Sequence, residues 1–416
     1  MLLPFAAMLL AIAALPLLFK HHWERFYHLW ALVLGGVTVA YVLGVQHDTT
    51  RVLHTAHEYV SFLAMVGSLF VVAGGIHIIV KGEARPWMNV LFLAIASVLS
   101  NLIGTTGASM LLIRPWIRMN KYRITGFHVV FFIFLVSNVS GCLTPIGDPP
   151  LFLGFLKGVP FWWVAEHCWR AWAVGVTLLL VIFFVMDTLN FRRAPKPVRD
   201  AETARETWRF GGLHNLIFLG AILGSVFVND PPFLREGIMV AAAVASWFLT
   251  SREIHNANDF SFEPIKEVAW LFLGIFATMI PALEYLQAHA ASMGLHGEWQ
   301  FYWGTGLLSG ILDNAPTYLA FLATAFGLSG LNLDTGMPVF LRDQGPTLVA
   351  ISVSAVFFGA MTYIGNGPNF MVKAIAERAK VETPGFFGYI LRYSVPILLP
   401  VLFLVGILFF SRWRLF

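Results

Sequence analysis

The sequence predicts an all-α polytopic membrane protein of about ten transmembrane helices and two re-entrant hairpins. These form two inverted-topology repeats, each with one discontinuous helix. Three observations carry this: apolar runs of bilayer length along the whole chain, a Lys and Arg asymmetry that follows their alternation, and a self-match between the two halves. Of 416 residues, 58% are hydrophobic and 12% are charged, and the mean hydropathy is +0.73. A soluble domain carries about 25% charge and has nowhere to bury this much apolar surface. A bilayer core of about 30 Å needs about 20 apolar residues in a helix. The runs show no alternation of polarity, which excludes a lipid-facing barrel.

In chain order, the spans of the first half are 2–19, 27–43, 59–80, a broken helix at about 124–156, and 162–189. The initial run has no basic segment before it and reads as a retained helix, not a cleaved leader. Those of the second half are 213–228, 233–250, 265–286, a broken helix at about 346–376, and 394–410. Two further apolar segments, about 88–117 and 301–327, carry Gly, Thr, Asn or Asp at their centres and read as hairpins. The repeats are residues 1–190 and 213–416, joined by a polar linker at 191–212 predicted to be cytoplasmic. Alternating the crossings puts 20 of the 27 Lys and Arg residues on one face, Arg123 among them. By the positive-inside rule that face is cytoplasmic and both termini lie outside. The pI near 9.1 is then a topology bias and implies no nucleic-acid partner.

Thr144-Pro-Ile-Gly-Asp-Pro-Pro-Leu-Phe152 aligns without gaps to Thr362-Tyr-Ile-Gly-Asn-Gly-Pro-Asn-Phe370. Upstream of each lies a hairpin centre, Ser100-Asn-Leu-Ile-Gly-Thr-Thr106 and Asp313-Asn-Ala-Pro-Thr317. A repeat of this length sets the architecture, and five crossings per half require the halves to be inverted. Pro and Gly inside a membrane helix release backbone groups that need polar surroundings. Carbonyls freed there suit cations, and half-helix N-termini suit anions.

Charged groups at membrane depth are expensive and mark function. The predicted cation- or proton-binding residues are Asp148, Asp313, Asn366, Asn314, Thr144 and Thr362, with sodium expected at Asp148 and Asp313. The predicted substrate-binding residues are Asn101, Thr105, Thr106, Thr317 and Asn369. Oxygen-rich side chains suit a hard cation, and one carboxylate that binds either a proton or a cation is enough for exchange. Glu58 and Glu267 are expected to head helices and Glu284 to stand near a cavity. Lys373 is expected to reach the interface, and His54, His57 and His255 to lie in loops. Cys142 and Cys168 read as small buried side chains. No Gly-rich lysine loop for ATP occurs. Gly147-Asp148 matches only part of an intramembrane aspartyl protease signature, because the first glycine of Gly-x-Gly-Asp is replaced by Pro145, so no enzymatic activity is expected.

The paired hairpins and broken helices, with Asp313-Asn-Ala-Pro-Thr317 and the two Thr-x-Ile-Gly segments, resemble the ion transporter superfamily. That group includes NhaD-type sodium/proton antiporters, arsenite permeases and citrate carriers. The stretch 138–155 is similar to a bacterial branch described as both citrate transporters and sodium:proton antiporters. The resemblance implies a secondary transporter of the inner membrane, with elevator-like movement, a small ion or carboxylate as substrate, a homodimeric assembly and no cofactor beyond Na+ and H+. Sodium-coupled dicarboxylate carriers have Ser-Asn-Thr at both tips. Asp313 at the second tip departs from this and favours antiport; cation-coupled citrate uptake is the alternative.

Overall fold

The computed structural model describes residues 2–80, 85–193, 209–228 and 230–411. Most of the predicted linker, residues 194–208, lies outside them. The first half contains α1 (Leu2–Leu18), α2 (Lys20–Gln46), α3 (Thr49–Gly74), α4 (Pro86–Met119), α5 (Gly126–Leu135), α6 (Pro149–Leu156) and α7 (Trp163–Arg193). The second contains α8 (Asn215–Ser225), α9 (Leu234–Leu249), α10 (Arg252–Ala257), α11 (Glu263–Ala288), α12 (Glu298–Ser309), α13 (Asn314–Leu328), α14 (Met337–Phe358), α15 (Gly367–Arg378) and α16 (Phe386–Phe410). Seven helices among the described residues are long and apolar enough to cross a membrane, and shorter apolar helices accompany them. The chain is a multi-pass helical membrane protein. Val33, Val37, Ile217 and Phe248 are among the large apolar residues left exposed on its outside, as lipid contact requires.

Several boundaries differ from expectation. Asp48 caps α3 by accepting the Arg51 amide at 3.0 Å, so the helix starts ten residues ahead of the predicted Tyr59. Glu58 therefore lies mid-helix and buried, not at a helix head. His54 and His57 share α3, and His255 is buried on α10; none is in a loop. The same helix stops at Gly74, where Asn258 donates to the Gly74 and Ile76 carbonyls and Asn215 to the Gly75 carbonyl, all at 2.8 Å. The predicted span to Val80 then becomes a short strand, β1 (His77–Ile79), paired antiparallel with β2 (Arg209–Gly211). It is a small exception to the all-α expectation.

The α4 segment doubles back. Asn89 donates to Asn120 at 2.8 Å across 31 positions, which a straight helix would hold about 46 Å apart. The bend is at Gly104, where φ is 75° and ψ 154°, a conformation open only to glycine. The pair α12 and α13 also packs side by side, Phe301 against Phe321 with ring centroids 6.4 Å apart. Around these elements α11 packs on α1, α2 and α3. Gly274 permits the approach, because a Cβ there would lie 2.9 Å from the Ala31 Cα and 2.7 Å from the Met8 Cε. Small residues at helix crossings serve that purpose in membranes.

Arg123 was counted among the surface cations and is buried instead. Its guanidinium forms two contacts with Asp187, one of 3.0 Å and one shorter, and Asp187 also accepts from Asn89 at 2.8 Å and meets His128 at 3.0 Å. The cluster joins both ends of α4 to the start of α5 and the end of α7.

Candidate functional site

Each broken helix opens the same way. After α5, a single 3₁₀ turn (Val139–Gly141) leads into a non-helical stretch that ends at Asp148, the N-cap of α6. After α14 a matching turn (Gly359–Met361) leads to Asn366, the N-cap of α15. The two caps have closely similar backbones, φ −146° and ψ 147° for Asp148, φ −154° and ψ 140° for Asn366. Pro149 and Pro368, within the first two helical positions, need no amide partner there. Thr144 and Thr362 hold the turns, accepting the Gly147 amide at 3.1 Å and the Gly365 amide at 3.2 Å. A Cβ at Gly147 would lie 2.2 Å from the Gly141 carbonyl oxygen, and one at Gly365 2.6 Å from that of Gly359. Gly147→Ala is therefore expected to displace Asp148 and reduce transport at least about tenfold, while Ala at Gly367, which meets nothing within 4 Å, leaves initial rates near wild type.

Asp148 is the centre of the site and has no solvent exposure. Its Oδ1 accepts from the Thr105 hydroxyl at 2.5 Å and the Asn366 amide at 2.9 Å, and its Oδ2 from the Asn314 amide at 2.5 Å. The three donors come from the bend of α4, the cap of α15 and the start of α13. Among the described residues no ion pair reaches this carboxylate. A buried carboxylate with hydrogen-bond donors but no cationic partner is costly to keep charged. The N-termini of α6, α13 and α15 face it with partial positive charge.

The other predicted residues divide by what they touch. The Thr105 amide donates to the Gly147 carbonyl at 2.7 Å, fastening the α4 bend to the broken helix. Asn101 has its amide saturated, donating to the Ser97 and Ser140 carbonyls and accepting from Leu143, while Thr144 donates to the Asn101 carbonyl. Thr317 bonds back to the Asp313 carbonyl. Thr106 lines a small cavity beside the bend. Asp313 caps α13, accepting the Ala315 amide at 3.0 Å. The structure thus brings its neighbour Asn314, not Asp313, onto Asp148. Lys373 pairs with Glu377 and faces the Tyr363 ring, away from Asp148.

Asn138 was not foreseen. Asn369 donates to the Gly359 and Thr362 carbonyls, so its oxygen accepts from the Asn138 amide at 2.8 Å. Asn138 also donates to the Ile133 carbonyl, which fixes its Oδ1 toward Gly359. That oxygen and the Asn314 Oδ1 are both buried with no hydrogen-bond donor. At the point a Cβ on Gly359 would occupy, the Asn138 Oδ1 lies 2.9 Å away and the Asn314 Nδ2, not its oxygen, 3.4 Å away. One carboxylate and two unengaged amide oxygens are thus buried in this region, oxygen ligands of the type a hard monovalent cation takes. Among the described residues no cluster of three His, Cys, Asp or Glu side chains stands ready for a transition metal. A polar residue within the apolar run 129–143 was the available signal, but its repeat mate is Val356, so the self-match hid it.

A second cavity, a cleft of about 560 Å³, opens between α3, α11 and residues 332–334, with Arg51, His54, Glu58, Lys157, Glu284 and Asp334 on its walls. Lys157 pairs with Glu58 at 2.8 Å and Asp334 at 3.2 Å, and Arg51 with Glu284.

No curated protein matches the chain. A family described as "Putative citrate transport" matches residues 1–410, and the chain belongs to that family.

Proposed function

We propose that this protein is a secondary active transporter that carries a citrate-class carboxylate anion together with a cation or proton bound at Asp148. The observation that carries the reading is the buried Asp148 carboxylate, held by donors from both halves of the chain and, among the described residues, without a basic partner. An unneutralised Asp148 repels a carboxylate substrate, and a cation or proton bound there removes the repulsion. Ion binding then precedes anion binding, which is coupling in its simplest form. The arrangement rests on two inverted repeats, supported by the matched caps and paired glycines, with re-entrant hairpins at α4 and at α12–α13 whose bends meet at the bilayer midplane. Alternating access is elevator-like, in a bacterial inner membrane with both termini outside, within a homodimer.

A second reading is sodium/proton antiport through the same carboxylate. That no lysine or arginine among the described residues contacts Asp148 favours it, because a tricarboxylate ordinarily meets basic side chains. Purified protein in liposomes separates the two. Labelled citrate uptake that rises with an imposed sodium or proton gradient supports the first. Sodium-driven collapse of a pH gradient without citrate supports the second. Neither response sinks both.

A further inference from the structure

On α3 and on α6, one phenylalanine stands between residues that line the 560 Å³ cleft and residues that line a small cavity beside the site. On α3, the cleft is lined down to Glu58, while Met65, Val66 and Leu69 line a cavity of about 20 Å³ beside Gly104, Thr105, Gly147 and Pro149. Phe62 lies between. On α6, Lys157 follows the helix at the cleft, Pro149 lines the small cavity, and Phe152 lies between. On α11, Met279 and Leu283 line the cleft, and Phe276 and Phe272 come next along the helix, away from it. These four rings meet. Phe62 stacks on Phe272 with centroids 4.3 Å apart and lies 5.8 Å from Phe276 and 6.4 Å from Phe152. All four side chains are buried.

We infer that Phe62, Phe152, Phe272 and Phe276 form a dry gate on an ion path from the cleft to Asp148. The polar walls above the gate hold water, and four apolar rings in contact exclude it. The cavity beneath has room for about one water or one bare monovalent ion. A tricarboxylate does not fit it, so the path serves the coupling ion and not the anion. It ends at Thr105, whose hydroxyl donates to Asp148. The Lys157–Glu58 pair fastens the cleft end of α6 to α3 at the mouth of the path, on the same short helix that Asp148 caps. The purpose of the gate rests on the transport reading, but its existence does not.

Labelling of engineered cysteines by a cationic methanethiosulfonate tests it, in a Cys142→Ser, Cys168→Ser background. Thr55→Cys, in the cleft, is expected to react rapidly in every variant. Met65→Cys, beneath the rings, is expected to react slowly, and Phe62→Ala to accelerate it at least about tenfold, whereas Phe62→Leu leaves it slow. Should Phe62→Ala lose its monodisperse form, Phe272→Ala opens the same layer. Met65→Cys reacting as fast as Thr55→Cys behind intact rings overturns the gate, as does a rate indifferent to both ring deletions. Slow labelling that accelerates in a protein that moves neither citrate nor sodium keeps the gate and sinks the transport reading. Free labelling in a transporting protein sinks the gate alone.

Discussion

Asp148→Asn is expected to impair ion-coupled transport by lowering the apparent affinity for the coupling cation about tenfold to a hundredfold. The magnitude follows from losing one charge-assisted contact, about 1.5–3 kcal/mol, at 1.4 kcal/mol per decade. Asparagine nearly preserves the shape but not the polarity of the site. Thr105, Asn314 and Asn366 all donate to the two oxygens of Asp148, and an amide offers only one oxygen. Its nitrogen then faces the Asn314 nitrogen, a clash of donors that costs about 1–3 kcal/mol unless Asn314 turns its unengaged oxygen inward. Initial rates measured against cation concentration, alongside size-exclusion profiles, separate the two effects. A folded variant with unchanged cation dependence removes Asp148 from the mechanism. Asp313→Asn is the informative companion, because that carboxylate caps α13 and an asparagine caps nearly as well. Its expected effect is small.

The sequence carried the parts of this site that depend on local chemistry. A proline and a glycine beside a polar residue readily interrupt a membrane helix, and the two Thr-x-Ile-Gly runs therefore announced the breaks. What stayed hidden depends on partners far along the chain. Asp313 and Asn314 are adjacent and equally polar, and only the packing of α13 decides that the amide, not the acid, reaches Asp148. Asn138 had no polar mate in the other half. Glu58 was read as a cap because the first turns of α3 hold Thr, Arg and His, and a polar start to a helix resembles a loop when Asp48 is overlooked. The two strands follow from Gly74 and Gly75 and from the carbonyls that Asn215 and Asn258 take up, a pairing across more than 130 positions. Arg123 was likewise hidden: a charge counted by its type in a loop, whose partner Asp187 lies 64 positions away.

That partner predicts the largest stability effect. Asp187→Ala is expected to destabilise the protein by about 3–5 kcal/mol, because it removes the carboxylate that accepts two contacts from the buried Arg123 guanidinium. Arg123 and Asp187 have side chains only 2% and 0% exposed, so no water replaces the lost acceptor. The loss falls on the base of the doubled-back α4, since Asn89 and Asn120 bond each other and Asn89 bonds Asp187. Loosening that base frees the bend at Gly104 that carries Thr105 to Asp148, so transport declines along with stability. Removing both charges together, Arg123→Met with Asp187→Leu, is expected to recover most of the loss, since two apolar side chains leave no stranded ion. The fraction of monodisperse protein surviving a heat step in detergent, compared among wild type, each single variant and the double, reads this directly. A double variant no better than Asp187→Ala would mean that the charges are not paired against each other, and that Asn89 and His128 alone hold the base of α4 to α5 and α7.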